Sequence, residues 1–389
     1  MLHYDQDCLR GKEMNAELER YNLAYSMTRL TETARTFRKL GETYEEMQSE
    51  GSALPAITEQ LYVMANVLEE CCGTSTKIIY LSKGHENDII RGILSKGVKV
   101  EWFHVFERGL NRKEIVIRAK IAKRGCVTTK DIALEISKYF ETNFYSSENN
   151  RSIVSDECYE YTFIEVPRFK VLFGKAKSNM DKMKVSGDNF SMAQLECGRV
   201  VATLVDGMGA GKRAYYESET VIDLVEQCLE AGFDERLTIG LINSVFSNGE
   251  FISNPVVVDM CVVDRYLGVL NCIKLGAAST FIKRDGWVEI IKSTTLPIGV
   301  FEQVDFDNAI KKLYDGDYVI MVSDGVLENL PFVDKEQKLV EIIAEIEVRV
   351  PELIAQEILQ KSLEYNSMIA KDDMTVIVAG VFDTYRKVY

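Results

Sequence analysis

Acidic residues at the ends of predicted strands are the part of this sequence best suited to chemistry. Asp206 and Asp324 each end an apolar segment and precede a glycine, and the pair Asp372 and Asp373 opens another apolar segment. If these segments are antiparallel strands, their ends meet and the carboxylates converge. Converging carboxylates repel unless a cation lies between them, and hard oxygen ligands favour Mg²⁺ or Mn²⁺ over zinc. The sequence therefore predicts a metal site.

The glycines after Asp206 superficially resemble a phosphate-binding loop but lack its spacing. A Walker loop needs glycine where Asp206 stands and Ser or Thr where Arg213 stands, and the dinucleotide fingerprint needs a third glycine at Lys212. We interpret these glycines as allowing a sharp turn beside a metal, where the main-chain carbonyl of Gly207 can act as a ligand. Flexibility of the loop alone is the alternative.

Histidine and cysteine chemistries are excluded from the aspartate-rich half of the chain. All three histidines precede residue 105, and no cysteine has an arginine six positions later, as a cysteine phosphatase requires. Carboxylate and metal chemistry is what is left. Two divalent cations roughly 3.5–4 Å apart lower the pKa of a bridging water enough to supply hydroxide near neutral pH, and they neutralise a phosphoryl group under attack. Hydrolysis then needs no covalent enzyme intermediate.

The composition is that of an ordinary globular protein, with 389 residues, 46% of them hydrophobic and 27% charged. The formal charge of −14 argues against nucleic acid or anionic lipid as a partner and favours a protein or a small molecule. No apolar run approaches the roughly 20 residues that span a bilayer, and no signal peptide is evident, so we expect the chain as given to be cytoplasmic. The nine cysteines lack regular spacing and indicate reduced thiols.

The chain is predicted to contain three parts: a helical linker or regulatory segment over residues 1–75, a small α+β regulatory domain over 76–166, and a larger domain over 167–389. In the first part, apolar residues three or four positions apart predict a helix, which either packs on its own domain or forms a coiled-coil-like dimer or signalling helix. In the second, strand-like segments and a helix capped by Thr128 show no catalytic constellation.

The third part is rich in short strands linked by turns. Two predicted helices, over residues 210–231 and 235–247, follow the first Asp-Gly step, and a third covers residues 351–369. Antiparallel strands beside paired helices predict an α+β fold, a two-sheet sandwich with helices on its outer faces, rather than a βαβ repeat.

Six segments in this part resemble the bacterial PP2C-like metal-dependent serine/threonine phosphatases, and within that class the family that acts in sporulation. They occur in order as SGDNFS at 186–191, LVDGMGAGKRA at 204–214, KLGAA at 274–278, TLPIGVF at 295–301, DYVIMVSDGVLE at 317–328 and DDMTVIV at 372–378. The resemblance covers residues 169–382 and implies a PP2C-like antiparallel β-sandwich flanked by α-helices. A helical segment and a small α+β domain ahead of it are also similar to the sporulation family.

The resemblance implies two divalent cations, Mn²⁺ or Mg²⁺, held by the oxygens of Asp188, Asp206, Gly207, Asp324, Asp372 and Asp373. Asp206, Asp324 and Asp372, the predicted catalytic residues, would share one cation. Asp206 and the carbonyl of Gly207 would hold the other, with Asp188 contributing directly or through water. Asp373 stands where many relatives have asparagine.

Two further predictions concern the first helices after Asp206. No clear equivalent exists of the arginine that binds phosphate in some relatives, and Lys212 or Arg213 could replace it, a solvated charge being the alternative. Because the helices begin directly after the first ligand, their movement would shift Asp206 and Gly207, so we predict that they form a switch. Its predicted members are Ala214, Val221, Leu224, Leu237 and Leu241.

The resemblance implies hydrolysis of phosphoserine on an anti-sigma factor antagonist, which releases a sporulation sigma factor. It also implies a multispanning membrane region upstream of this part in full-length members, with this part facing the cytoplasm. A homodimer through the N-terminal or switch helices is possible. The alternative function is a catalytically silent module that binds a phosphoprotein or dimerises, and a nucleotide transferase is disfavoured because no phosphate-cradling loop is present.

Overall fold

A computed structural model describes residues 32–43, 58, 61, 64–65, 76–108, 112–122, 125–140, 142–180, 185–195, 198–207, 211–230, 233, 235–247, 255–298, 300 and 307–384. The chain divides into two compact units. One contains residues 67–167, and the other combines residues 33–66 with 168–389. Most of the predicted N-terminal helix lies outside the described residues, and the predicted three-part boundaries stay a prediction.

The first unit is a five-stranded antiparallel sheet with two helices. Its strands are ordered β1-β2-β3-β5-β4, and the elements are β1 (Thr76–Ile79), α2 (Lys83–Ser95), β2 (Val98–Arg108), β3 (Arg112–Ile121), α3 (Thr129–Ser137), β4 (Phe144–Ser146) and β5 (Tyr159–Glu165). Helix α3 begins where predicted, because the Thr128 side chain accepts a hydrogen bond from the Asp131 amide while Asp131 reaches back to the Thr128 amide. Apolar residues of both helices and of one sheet face form the core of this unit.

The second unit contains two five-stranded antiparallel sheets. The first, ordered β13-β10-β9-β8-β7, contains β7 (Asp188–Gln194), β8 (Arg199–Gly207), β9 (Val256–Asp264), β10 (Val269–Leu275) and β13 (Asp307–Lys312). The second, ordered β12-β11-β14-β15-β6, contains β6 (Phe169–Ser178), β11 (Thr280–Arg284), β12 (Trp287–Ile291), β14 (Asp317–Val322) and β15 (Met374–Asp383). The two sheets are joined by one buried apolar cluster, to which alternate residues of both inner faces contribute.

Helices cover the outer faces of this sandwich. Helices α4 (Lys212–Glu230) and α5 (Glu235–Ser247) lie at the first sheet, where α4 packs on β7 and β8. Helices α6 (Asp324–Glu328), α7 (Lys335–Glu345) and α8 (Pro351–Glu364) cover the second. Strand β14 is buried along its whole length because it has neighbours on both faces. The predicted layering is therefore confirmed, although α8 ends five residues earlier than the sequence suggested.

Helix α1, over residues 32–43, belongs to the same unit as the sandwich. Ala34, Phe37 and Leu40 on its inner face are almost fully buried, and the Phe37 ring lies 4.7 Å from the ring of Phe233, which follows α4. Among the helices that the structure describes, none is long and apolar enough to cross a membrane.

Candidate metal centre

Asp188 and Asp206 lie opposite each other on neighbouring strands at one end of the first sheet. They form a register pair between β7 and β8, so their side chains project from the same face of the sheet. Asp188 is only 1% exposed, and its Oδ2 accepts a hydrogen bond of 2.7 Å from the Thr375 hydroxyl. Because Thr375 belongs to β15 of the second sheet, this bond joins the two sheets at the carboxylates.

Asp324 and the pair Asp372 and Asp373 lie at the matching end of the second sheet. Strands β14 and β15 run antiparallel with Val322 opposite Val376, so the residue following β14 lies beside those preceding β15. Two hydrogen bonds fix this junction, from the Ser323 amide to the Thr375 carbonyl and from the Thr375 amide to the Ser323 hydroxyl, each 2.9 Å long. The structure therefore has Asp206, Asp324 and the pair Asp372 and Asp373 at strand ends, as the sequence predicted.

Steric crowding explains why a glycine follows Asp206 and another follows Asp324. A Cβ at Gly325 would lie 2.1 Å from the carbonyl oxygen of Asp373, and one at Gly207 would lie 2.6 Å from the carbonyl oxygen of Ala214. Both distances are far below van der Waals contact, so only glycine allows these close approaches. The glycine at 207 therefore lets helix α4 contact the end of the strand that carries Asp206.

The electrostatics show that the five aspartates converge. Burial and the negative charges of Asp188, Asp324, Asp372 and Asp373 together raise the pKa of Asp206 to about 8. Burial also raises the pKa of Asp188 to about 6, against the stabilising hydrogen bonds from Thr375 and Ser323. The pKa of Asp324 is raised by desolvation of its carboxylate and by the charges of Glu328 and Asp372, although part of the side chain is exposed. We call these five residues the acidic cluster.

The acidic cluster fits divalent cations in chemistry. Five carboxylates offer hard oxygen ligands, and their mutual repulsion is what an ion such as Mg²⁺ or Mn²⁺ relieves. Among the described residues, no three acidic, histidine or cysteine side chains lie close enough together to hold an ion as they stand. A cation shared by three of these carboxylates therefore requires their side chains to move toward it.

Asp373 has a second task that the sequence does not reveal. Its Oδ1 accepts a hydrogen bond from the Met180 amide and its Oδ2 one from the Gly187 amide, both 3.0 Å long. The carboxylate thereby ties the segment leading to Asp188 to the start of β15. Its role as a metal ligand stays a prediction, and the geometry favours positioning of Asp188.

The two predicted phosphate-binding residues lie on the exposed side of helix α4. Lys212 begins the helix, and Arg213 donates its Nε to Glu217, one turn further along, at 3.0 Å. Their predicted role is not tested by this arrangement.

Lys177 on β6 is a cation at the acidic cluster that sequence reasoning missed. Its Nζ donates a 2.6 Å hydrogen bond to the main-chain carbonyl of Asp188. Although much of the side chain is exposed, desolvation of the ammonium lowers the pKa of Lys177, while attraction to Asp188, Asp373 and Asp206 opposes that shift. In the sequence it is one of several lysines on an edge strand, and only its tertiary contact distinguishes it.

The predicted switch residues are described for the most part. Ala214, Val221 and Leu224 of α4 are buried, and Leu241 of α5 is half-buried, whereas the side chain of Leu237 lies outside the described residues. Helix α1 also reaches this region. Burial and the charges of two neighbouring glutamates raise the pKa of Asp223 on α4, and the charge of Lys39 on α1 opposes that shift.

Comparisons with known proteins agree with this fold. The profile of a family described as Stage II sporulation protein E (SpoIIE) matches residues 196–382. A protein of that name from Priestia megaterium is 35% identical over 199 residues, which are 50% of this chain and 34% of the relative. One from Bacillus subtilis (strain 168) is 27% identical over 297 residues, 76% of this chain and 36% of the relative. The chain thus spans about a third of the length of these curated relatives.

A solved structure supports the whole architecture. It contains the PP2C phosphatase domain and a fragment of the regulatory domain of SpoIIE from Bacillus subtilis. The two chains align over 96% of this chain and 99% of the other, with a TM-score of 0.61 and 23% identity. At that identity the likeness establishes the fold, and it confirms the predicted PP2C-like sandwich.

Proposed function

We propose that this chain, whose residues 196–382 match the profile of the Stage II sporulation protein E family, is a metal-dependent protein serine phosphatase. The observation that carries the proposal is Asp206, whose pKa reaches about 8 because burial and four other carboxylates act on it together. A cluster of this kind at strand ends is suited to cations and to the phosphate ester that cations polarise.

The residues that would hold two divalent cations, Mn²⁺ or Mg²⁺, are Asp188, Asp206, Asp324 and Asp372 with the carbonyl of Gly207. Such ions supply Lewis-acid polarisation of a phosphoryl group and a nucleophilic water near neutral pH. The chain supplies the positioning. The Thr375 hydroxyl holds the side chain of Asp188, and the Lys177 ammonium holds its main-chain carbonyl. The Asp206 carboxyl, whose pKa is about 8, would have to lose its proton to serve as a ligand.

The proposed substrate is phosphoserine on an anti-sigma factor antagonist, as the family resemblance implies. Part of the acidic cluster is open to solvent, since Asp324 and Asp372 are exposed. An open position suits a phosphoserine carried by a protein better than a deep apolar pocket would. A homodimer through the N-terminal or switch helices, and anchoring of a longer protein through an upstream membrane region, belong to the same proposal.

The first test is Mn²⁺-dependent hydrolysis of p-nitrophenyl phosphate. We expect Asp206→Asn and Asp324→Asn each to lower kcat/KM by about 100-fold or more, because each removes a charged oxygen ligand that acts on the transition state. Asp285→Asn is the matched control, since Asp285 is an exposed aspartate in the turn between β11 and β12.

Equal activity in all three variants would remove the acidic cluster from catalysis. Absence of hydrolysis in the unsubstituted chain, together with retained binding of a phosphoprotein, would support the silent binding module instead.

A further inference from the structure

Two loops beside the acidic cluster expose a group of apolar side chains. The first follows α6 over residues 329–334, and the second joins α8 to Asp372 over residues 365–371. Val333 is fully exposed, Ile369 is 64% exposed and Met368 is 58% exposed. The group, which we call the apolar ridge, consists of Phe332, Val333, Tyr365, Met368 and Ile369.

Direct contacts fix the two loops to each other. The rings of Phe332 and Tyr365 meet edge to face with centroids 5.1 Å apart, and the Lys338 ammonium lies over both rings. Asn329 Oδ1 accepts hydrogen bonds from the Asn366 side chain at 3.4 Å and from the Lys371 amide at 3.2 Å. The ridge is therefore one surface with a defined shape.

The second loop holds an unfavourable backbone conformation that keeps its apolar side chains outside. Ser367 and Met368 have φ values of 55° and 63°, in the left-handed region that residues with a Cβ rarely adopt. The Met368 amide donates to the Leu363 carbonyl at 3.0 Å, which ends α8 and turns the chain. Backbone strain of this kind is found at functional sites more than elsewhere. Nothing in the core of the unit requires Met368 and Ile369 to be apolar, because both are exposed.

The ridge is adjacent to the acidic cluster along the chain. Ile369 precedes Asp372 by three residues, so their Cα atoms are at most roughly 11 Å apart. The first loop begins directly after α6, whose first residue is Asp324. A protein that brings a phosphoserine to the cluster therefore comes within reach of the ridge, whereas a small phosphate ester does not.

We propose that the apolar ridge is the docking surface for the folded protein that carries the phosphoserine. This inference rests on the proposed phosphatase function and adds the surface that selects the protein. Contiguous exposed apolar patches mark interaction sites. The two loops of the ridge adjoin Asp324 and Asp372, so we assign the ridge to the protein whose phosphoserine has to reach those residues, and a second copy of this chain is an outcome that the test distinguishes.

The test compares two ridge variants with one control. Met368→Glu and Val333→Glu place a charge in each loop of the ridge, and Ile310→Glu does the same on the edge strand β13, where Ile310 is 67% exposed. Each variant is measured with Mn²⁺ on a phosphorylated anti-sigma factor antagonist and on p-nitrophenyl phosphate.

We expect kcat/KM for the phosphoprotein to fall at least about tenfold more than kcat/KM for the small ester in both ridge variants, since apolar anchors dominate protein interfaces. The ratio of the two values should not change in Ile310→Glu. An unchanged ratio in both ridge variants overturns the proposal, and so does a parallel loss on both substrates, which would mean that the ridge acts through the metal centre. A change in oligomeric state without a change in the ratio also overturns it and assigns the ridge to a second copy.

Failure of the phosphatase proposal is distinguishable from failure of this one. If the unsubstituted chain hydrolyses neither substrate, the function is wrong, and the ridge is judged by calorimetric binding of the phosphoprotein. Binding at least tenfold weaker in Met368→Glu than in Ile310→Glu then supports the docking surface, and equal binding overturns it.

Discussion

Asp206 has the most strongly raised pKa of the acidic cluster, and it is also central to the proposed chemistry. Its pKa of about 8 means that, without cations, its carboxyl group holds a proton at neutral pH because four other carboxylates and burial disfavour its charge. Because the charged form of Asp206 destabilises the cation-free protein, a cation that neutralises this charge should bind favourably. Asp188, with a pKa of about 6, shows the same tendency in weaker form.

Cation-free protein should lose stability as the pH rises. The folded-state pKa of Asp206, about 8, lies above the ordinary aspartate value of 3.8, so between these two pH values the folded state binds a proton that the unfolded state does not. The contribution of the protonated Asp206 to the free energy of unfolding is therefore fully present below about pH 4 and is lost as the pH rises through 8. With EDTA present, Asp206→Asn should therefore raise Tm at pH 8 by roughly 4–8 °C, corresponding to about 2 kcal/mol, and should have little effect at pH 4.

Calorimetric unfolding at the two pH values measures this effect, and Asp285→Asn serves as the control. A lower Tm in Asp206→Asn at pH 8 would contradict the repulsion inferred here.

Cation binding should release protons from the same group. Since Asp206 is protonated below about pH 8, the apparent affinity for Mn²⁺ should fall as the pH is lowered from 8 to 6, by at most about tenfold per pH unit for each proton released. Titration calorimetry in two buffers of different ionisation enthalpy counts the protons. A release that is the same in Asp206→Asn and in the unsubstituted chain would assign the proton to another residue.

At the scale of elements, helix α4 contacts the end of β8 through main-chain atoms, at Ala214 and Gly207. The Cα of Gly207 faces the carbonyl of Ala214, and this contact would transmit a displacement of α4 to a predicted ligand. This is the physical basis for the proposed switch.

Gly207→Ala should weaken Mn²⁺ binding by about tenfold or more. The new Cβ would lie 2.6 Å from the Ala214 carbonyl oxygen, so either α4 or the end of β8 has to move. Gly286→Ala is the matched control, because a Cβ there meets nothing within 4 Å. Equal Mn²⁺ affinity in the two variants would separate α4 from the metal centre.

The elements that the sequence predicted best are those whose pattern reflects burial. Strands β8, β14 and β15 are long apolar runs, and such runs occur where both faces of a strand are covered. Strand β13 has no such run, because it is an edge strand with Ile310 exposed, and only its pairing with β10 identifies it. The early end of α8 was missed because Ser367 and Met368, neither glycine nor asparagine, take the left-handed conformation.

The candidate site could be predicted from the sequence only where a local pattern marks its residues. Asp-Gly steps at strand ends are local patterns, so Asp206 and Asp324 could be identified. The partners of Lys177 and Asp373 could not, because Lys177 bonds to a residue across the sandwich edge and Asp373 bonds to amides of a distant segment. Such contacts depend on tertiary structure and leave no periodic signal.

At the scale of the whole molecule, the order of the chain does not follow its division into units. Helix α1 precedes the small sheet in sequence but belongs to the unit of the sandwich, with Phe37 2% exposed. The predicted boundary at residue 75 stays a prediction, and the sequence left open whether the helix packs on its own domain or forms a dimer or signalling helix. Periodicity predicts which face of a helix is buried but not which unit buries it.

Phe37→Ala should destabilise the sandwich unit by about 3–5 kcal/mol, since it removes a buried ring that contacts Phe233. Hydrogen exchange should become faster in α4 and stay unchanged in α3 of the other unit. Leu134→Ala, at a residue that is 66% exposed, is the control and should change neither. Unaltered exchange in α4 of Phe37→Ala would mean that α1 does not support the sandwich.

The hydrogen bond between Asp188 and Thr375 joins two stretches of chain that are far apart in sequence, and the acidic cluster takes its members from both. A polypeptide nicked at the turn around Gly316 would leave Asp188 and Asp206 on one fragment and Asp324 and Asp372 on the other. Reassociation of those fragments should then depend on the concentration of magnesium or manganese, so the ions proposed for catalysis would also hold the two fragments together.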